Sequence, residues 1–326
     1  MVSPRQKHKL RPDLPYDPVG QCIYCGATGC ELTKEHVLAR GLMGTEVLPQ
    51  ASCKSCQRIT SDFEGEIMQG PWRAFRLKNE LPHNKSKKEY QAELAKGLKL
   101  RFIDWDGNVE EEMLPANDWP NHLAMLRFSW PRIMYNRTGF IPFVQRQWVC
   151  SHGPFEQLRE LARRRDWADV AYDFPDPLTF SRLLAKVGHA VAAQHLGLDG
   201  FRPLARDLIL GRSNDYSYLI GGQIDVEDHL PGQVSTLDLN YRQTRSDLQL
   251  IWIRIKLFAD IKSPTYMAVV GEYDPSNPQH VAARSKLDLH EEWTLQPTNP
   301  YSPIPPRAPQ WNGLQAKIQE ELAKRS

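Results

Sequence analysis

No run of apolar residues in this chain of 326 residues is long enough to cross a bilayer. One of the longest apolar stretches, 250–258, carries both Arg254 and Lys256. The amino-terminal residues are polar and basic, without the apolar core of a signal peptide. We therefore expect a cytoplasmic protein with no membrane partner and with reduced thiols.

A large excess of charge of one sign is also missing, because 41 lysines and arginines face 39 aspartates and glutamates, for a net charge of +2. The total charge therefore does not indicate a nucleic-acid partner, but local clusters can. For the triplet 163–165 we favour a solvated helix face. The longer basic stretch comprises Arg73, Arg76, Lys78, Lys85, Lys87, Lys88, Lys96, Lys99 and Arg101.

Cysteine is scarce, with six in the chain, but four of the six form two CxxC pairs, Cys22–Cys25 and Cys53–Cys56. Two intervening residues let one tight turn direct both sulfurs at the same ion, and two such turns complete a tetrahedral four-thiolate site. This spacing predicts structural zinc, with an iron cluster as the less favoured alternative. Disulfides would require an oxidising compartment. We expect Cys30 to be a simple thiol.

The pattern of apolar residues and turn signals predicts an α+β protein. A small zinc module is followed by a larger α+β domain, in which helices precede a mainly antiparallel sheet. We see no internal repeat. The predicted domains are a flexible arm at 1–20, the zinc module at 21–82, the α+β domain at 83–293, and a proline-rich segment with a terminal helix at 294–326.

Individual elements follow from the same patterns. In the zinc module we predict strands at 32–38 and 46–49 and then a helix that begins near Ser52 and stops at Gly70. In the larger domain we predict a hairpin at 99–114, helices at 121–135, 155–167 and 178–196, and strands at 218–224, 234–239, 248–258 and 265–270. The terminal helix is predicted at 314–324.

The order of motifs in the zinc module is more specific than any one of them. CxxCG at 22–26 is followed by Glu35-His36-Val37, by Ala-Ser-Cys-x-x-Cys at 51–56 and by the predicted helix. This order resembles the HNH, or ββα-metal, endonucleases of the four-cysteine zinc type. The resemblance covers under a quarter of the chain. It implies a metal-dependent endonuclease that hydrolyses phosphodiester bonds in DNA.

Under that resemblance, His36 is the general base that deprotonates the attacking water, a role that suits an imidazole with a pKa near neutrality. Glu35 and Gln57 would bind a catalytic Mg²⁺ or Mn²⁺, while Cys22, Cys25, Cys53 and Cys56 hold the structural zinc. Glu64, seven residues beyond Gln57, would lie on the same helix face and could add a carboxylate ligand or form a surface salt bridge.

The chain departs from the family pattern at two places. Gln57 stands where the family commonly has His or Asn, and Val47, Leu48 and Pro49 stand where a middle Asn would orient the base histidine. These departures support an alternative, a non-catalytic zinc-binding module that interacts with nucleic acid or with a protein. A third interpretation places the function in the large carboxy-terminal domain.

DNA is the partner we expect, with RNA as a second possibility, and a role in bacterial defence or in a mobile element would suit such a nuclease. The segment 184–189 with Gly197 and Phe201 resembles the carboxy-terminal region of bacterial proteins that carry this HNH type. That likeness supports the architecture and assigns no role to the region.

Overall fold

The structure is a computed structural model that describes residues 13–82, 85–135, 143–151, 155–223, 235–243, 249–261 and 263–285. The strands are β1 Leu14–Pro15, β2 Leu32–His36, β3 Glu46–Cys53, β4 Leu98–Ile103, β5 Val109–Leu114, β6 His122–Phe128, β7 Gln145–Ser151, β8 Asp169–Ala171, β9 Arg202–Pro203, β10 Ile220–Gln223, β11 Ser235–Gln243, β12 Gln249–Leu257 and β13 Thr265–Tyr273. The helices are α1 Lys54–Gln69, α2 Arg73–Lys78, α3 Lys87–Ala95, α4 Phe155–Arg165, α5 Pro177–Leu196, α6 Arg206–Ile209, α7 Tyr216–Leu219 and α8 Pro278–Arg284.

Across the described residues these elements are helices and largely antiparallel sheets with no closed barrel, so the prediction of an α+β fold is confirmed. No helix in the described part of the chain combines the length and hydropathy that a membrane span requires. The proline-rich segment and the helix predicted at 314–324 lie outside the described residues.

The helix predicted at 121–135 is wrong, because this segment forms strand β6 and pairs antiparallel with β7. Residues 122–126 are all buried, so the strand is covered on both faces. A continuous apolar run of this kind fits a buried strand and a buried helix equally well, and only the partner strand decides between them. The predicted hairpin is confirmed as β4 and β5, which pair in register from Leu98 opposite Leu114.

The described chain forms two compact units. The first contains the described residues within Met1–Tyr90, Asn121–His152 and Asp173–Glu292, and the second those within Gln91–Pro120 and Gly153–Tyr172. The first unit therefore contains the cysteine pairs together with α5 and the large sheet. The domain boundaries that we drew from the sequence stay a prediction.

The second unit is a three-stranded sheet, in the order β5-β4-β8, with helix α4. The β4–β5 turn has Gly107 at φ +87° and a hydrogen bond from the Asn108 backbone N–H to Asp104 Oδ1 (2.8 Å). Phe102 stacks on Trp167 with ring centroids 4.5 Å apart. Arg163 pairs with Glu160 at an exposed position of α4, in agreement with the solvated face expected there.

Helix α5 is the central element of the first unit. Asp176 caps its amino terminus by accepting a hydrogen bond from the Thr179 backbone N–H (2.8 Å), and Pro177 follows at the first helical position. Gly197, at φ +68°, ends the helix. Because α5 is buried around most of its circumference, it must be covered on more than one side.

One side of α5 packs on the antiparallel sheet β10-β13-β12-β11. A Cβ added at Gly188 would lie 2.9 Å from both Ala268 and Val270 of β13, so only glycine allows this approach of the helix to the strand. The other side packs on α1, where the Arg182 guanidinium lies 5.0 Å from the centroid of the Phe63 ring. Helix α5 thus joins the cysteine-containing segment to the sheet.

Candidate metal centre and adjoining histidine site

The four cysteines of the CxxC pairs converge at one point. Their sulfur atoms all lie within 4.8 Å of one another, with Cys22, Cys53 and Cys56 buried and Cys25 exposed. The first pair lies in the turn after Gln21, where Gly26 adopts φ +78° and its backbone N–H donates to the Cys22 carbonyl (2.9 Å). The second pair begins at the last residue of β3 and continues into the first turn of α1.

The distances fit a tetrahedral metal and exclude disulfides. The sulfurs of Cys25 and Cys53 are 3.7 Å apart, and all six cysteines are free. A zinc–sulfur distance of about 2.3 Å in a tetrahedron separates neighbouring sulfurs by about 3.8 Å, whereas a disulfide requires about 2.05 Å. The four thiols therefore form a site compatible with a structural metal such as zinc, as the sequence predicts.

The thiols experience different local environments. Burial alone would raise the pKa of Cys53, but hydrogen bonds from Ser55 and the Cys56 backbone lower it to about 6. Burial raises the pKa of Cys25 and Cys56 above the ordinary thiol value. Four thiolates packed this closely repel one another, so a bound cation is required to ionise them together.

Two side chains of the large α+β region hold the first CxxC turn from outside the module. His189 Nε2 on α5 lies 2.7 Å from the Ile23 carbonyl oxygen, and Arg206 Nε on α6 donates to the same oxygen (3.0 Å). Burial lowers the pKa of His189 to about 4, so this histidine is neutral and donates one N–H. The position of the turn therefore depends on α5 and α6.

The pair Glu35-His36 lies at the end of β2, beside β3, and α1 follows β3 directly. The register shifts between Thr33 and Glu35, which leaves Lys34 opposite no partner in the ladder. Beyond the shift, the Glu35 residue is 5% exposed and faces the interior, while the His36 side chain is 19% exposed. The two neighbours therefore face different surroundings, as alternation along a strand requires.

His36 faces Asp13, a residue of the segment that we predicted as an arm. Its Nε2 lies 3.5 Å from Asp13 Oδ1, and Lys34 Nζ holds the other carboxylate oxygen at 2.8 Å. Strand β1 places Asp13 there by pairing parallel with β3, with Leu14 opposite Glu46. Burial lowers the pKa of His36, and Asp13 partly offsets this effect, so the imidazole is neutral near pH 7.

Glu35 does not face an open metal site, because Lys186 of α5 lies against it. Lys186 Nζ is 2.8 Å from Glu35 Oε1 and 3.0 Å from Glu64 Oε1, and it also donates to the His36 carbonyl oxygen. The Lys186 side chain is 0% exposed and that of Glu64 is 15% exposed. Burial alone would lower the pKa of Lys186, but the two carboxylates outweigh it and raise the pKa above the ordinary lysine value.

Gln57 lies half-buried in the first turn of α1, and its backbone carbonyl oxygen accepts a hydrogen bond from Thr60 Oγ1 (3.1 Å). No hydrogen bond or ion pair joins Gln57 to Glu35 among the described residues. A divalent ion expected at Glu35 would need the position that the Lys186 ammonium holds. As arranged, Glu35 and Gln57 therefore do not fit a catalytic Mg²⁺ or Mn²⁺.

The basic stretch contains at least one residue that is unavailable to phosphate. Arg76 is buried, and its guanidinium donates to the carbonyl oxygens of Gly41, Met68 and Pro82 at 2.7–3.0 Å. Arg76 thus ties α2 to the turn after β2, which is a structural role.

No family model matches the chain. No curated protein and no solved structure shows a significant match either. The HNH resemblance therefore rests on the motifs at 22–56 and stays a prediction about the family.

The sequence did not reveal Asp13 and Lys186 as parts of this site. Asp13 stands in a stretch without apolar periodicity, so nothing marks it as a partner of His36. A signal for Lys186 was present, because a lone lysine lies within the apolar run 183–193. A charge that is buried in such a run needs an opposite charge nearby.

Proposed function

We propose that the protein is an HNH-type nuclease that hydrolyses phosphodiester bonds in DNA, with His36 as general base and a structural zinc at the four cysteines. The observation that carries the proposal is the pairing of His36 with Asp13 at the end of β2, inside the frame of the two CxxC pairs. A neutral imidazole can act as a general base, and a neighbouring carboxylate is a common means of orienting it.

In this proposal Asp13 does the orienting work of the missing middle Asn. We place the ring proton on Nε2, which lies 3.5 Å from Asp13 Oδ1, so that Nδ1 of His36 is the basic nitrogen for the attacking water. Lys34 and Arg40 are exposed on either side of His36 along the chain and would meet an anionic backbone. We assign no step to a divalent ion at Glu35, because the ammonium of Lys186 lies there.

The test is plasmid cleavage by the full chain, with its zinc content measured, in Mg²⁺, Mn²⁺ or EDTA. His36→Ala should reduce cleavage by about 100-fold or more, the ordinary contribution of a general base, and Asp13→Asn should reduce it less. His195→Ala, at an exposed position of α5, is the matched control and should cut like the native protein. DNA binding of His36→Ala, measured by gel shift, should be unchanged.

Equal cutting by His36→Ala would remove His36 from the chemistry and refute the proposal. A zinc-loaded protein that cuts neither single-stranded nor double-stranded DNA or RNA under any of these conditions would also refute it.

A second candidate is the non-catalytic zinc module that binds nucleic acid or a protein. The observation that favours it is the Lys186 ammonium between Glu35 and Glu64, because this ion pair closes the carboxylates to a metal ion. This candidate predicts salt-sensitive DNA or RNA binding without cleavage, and no effect of His36→Ala on that binding.

A further inference from the structure

Lys186 lies among oxygen atoms that could equally surround a metal ion. Its Nζ is 2.8 Å from Glu35 Oε1, 3.0 Å from Glu64 Oε1 and 3.5 Å from the Val37 carbonyl oxygen, and it donates to the His36 carbonyl. Two carboxylates with backbone carbonyl oxygens are the ligand set of hard divalent cations. An ammonium presents three N–H donors and one positive charge to the same oxygens.

The ammonium and a divalent ion cannot both occupy this position. A metal ion there would lie within bonding distance of Glu35 and Glu64, where the lysine nitrogen already is. The Lys186 side chain is entirely buried, and α5 packs on α1 and on strands β12 and β13. The side chain therefore has no exposed position to which it could move without displacing the helix.

The carboxylates come from two different elements, Glu35 from β2 and Glu64 from α1, and the cation comes from a third. The hydroxyl-bearing ring of Tyr24 is buried next to the same cluster, and burial together with the charges of Glu35 and Glu64 raises the pKa of this tyrosine. Side chains of three elements thus meet around an ammonium that belongs to α5.

We propose that the Lys186 ammonium takes the place of the divalent ion between Glu35 and Glu64, so that the native protein binds no divalent metal there and removal of the ammonium creates such a site. This inference rests on the proposed function, because the HNH resemblance is what leads us to expect a catalytic ion at Glu35. The chemistry of the latent site is that of Mn²⁺ or Mg²⁺, bound through carboxylate and carbonyl oxygens.

The experiment measures Mn²⁺ binding to the zinc-loaded full chain by the electron paramagnetic resonance signal of free Mn²⁺ and by thermal shift. The native protein and Glu35→Gln should give the same Mn²⁺ titration. Lys186→Met, which keeps an unbranched side chain, should bind about one further Mn²⁺ at least about tenfold more tightly than the native protein, and Mn²⁺ should raise its melting temperature.

Two controls accompany it. The triple variant Lys186→Met, Glu35→Gln and Glu64→Gln keeps the shape of the cluster without its charges and should not respond to Mn²⁺. Lys54→Met removes a lysine of the same module whose ion pair with Glu31 is exposed, and it should titrate like the native protein.

Each outcome decides the inference. A Mn²⁺ ion that the native protein binds and Glu35→Gln loses would overturn it, because Lys186 would then yield to the metal. A folded Lys186→Met variant that gains no Mn²⁺ would overturn it too, as would a variant that stays unfolded when it is refolded in Mn²⁺. None of these measurements uses nuclease activity, so their failure leaves the His36 test untouched, and failure of that test leaves these results standing.

Discussion

Replacing Lys186 with methionine removes a positive charge from between two largely buried carboxylates, and the structure indicates how much this should cost. The ammonium contacts Glu35 at 2.8 Å and Glu64 at 3.0 Å, with no exposed lysine surface. Removing one partner of a buried ion pair leaves the other charge uncompensated and costs about 3–5 kcal/mol. For a unit of this size, we expect the melting temperature to fall by about 6–20 °C.

The loss should depend on pH in a definite direction. Burial raises the pKa of Glu35 above its ordinary value even though Lys186 opposes this, and the variant loses that opposition. A carboxyl group whose pKa is higher in the folded state than in the unfolded state binds a proton more readily when the protein is folded. Lowering the pH therefore stabilises the folded state relative to the unfolded state. The difference in stability between the native protein and Lys186→Met should therefore shrink from pH 7 towards pH 5.

The assay is thermal unfolding by circular dichroism without added divalent metal, on samples of equal zinc content. Lys54→Met is the matched control, because its 2.6 Å ion pair with Glu31 is equally short but exposed, and it should cost about 1 kcal/mol or less. The triple variant Lys186→Met, Glu35→Gln and Glu64→Gln should recover most of the loss. A fall of under about 2 °C for Lys186→Met, equivalent to at most about 1 kcal/mol, would refute the buried ion pair.

Three further predictions concern the zinc module and its support. Cys53→Ser should lose bound zinc, measured by metal analysis, and with it the ordered structure of the module, while a chelator should have the same effect on the native protein. His189→Gln should remove an acid-dependent loss of stability. The pKa of His189 is about 4 in the folded protein and about 6.5 in the unfolded chain, so the native protein should lose about 3 kcal/mol of stability as the pH falls from 6.5 to 4. Urea titrations of both proteins across this pH range measure the difference. Gly188→Ala should cost about 1–3 kcal/mol of stability in the same titration, because the added methyl group would lie 2.9 Å from Ala268. An unchanged free energy of unfolding would contradict this packing.

Elements with strong local signals could be predicted from the sequence. The apolar pattern of 178–196 predicts a helix, and the structure has it at Pro177–Leu196, where Asp176 caps it and Gly197 ends it. The hairpin predicted at 99–114 likewise has a local cause, because its turn is held by a hydrogen bond from the Asn108 backbone N–H to Asp104 and by Gly107 at positive φ. These features depend on residues a few positions apart, which is why the sequence suffices.

Strand β6 and the surroundings of Glu35 show where local patterns fail. The residues of β6 are apolar in succession, and their state depends on pairing with β7 some 20 residues away. Glu35 matches the position of a metal ligand in its motif, but the neighbour that decides its chemistry is Lys186, 151 positions later in the chain. A motif gives the ligands that a segment offers and says nothing about a cation supplied by another element.

The sequence by itself indicated the four-cysteine cluster, because in each CxxC pair the spacing directs both sulfurs to the same side, and the two pairs need only come together in the fold. The sequence also determined that Glu35 and His36 are neighbours. Only the tertiary structure decided that Asp13 stands beside His36 and that an ammonium lies between Glu35 and Glu64. Packing of β1 along β3, and of α5 against α1, brings these groups, which are distant in the sequence, within 4 Å of one another. Around Lys186, which is fully buried, these electrostatic contacts outweigh what any local pattern specifies.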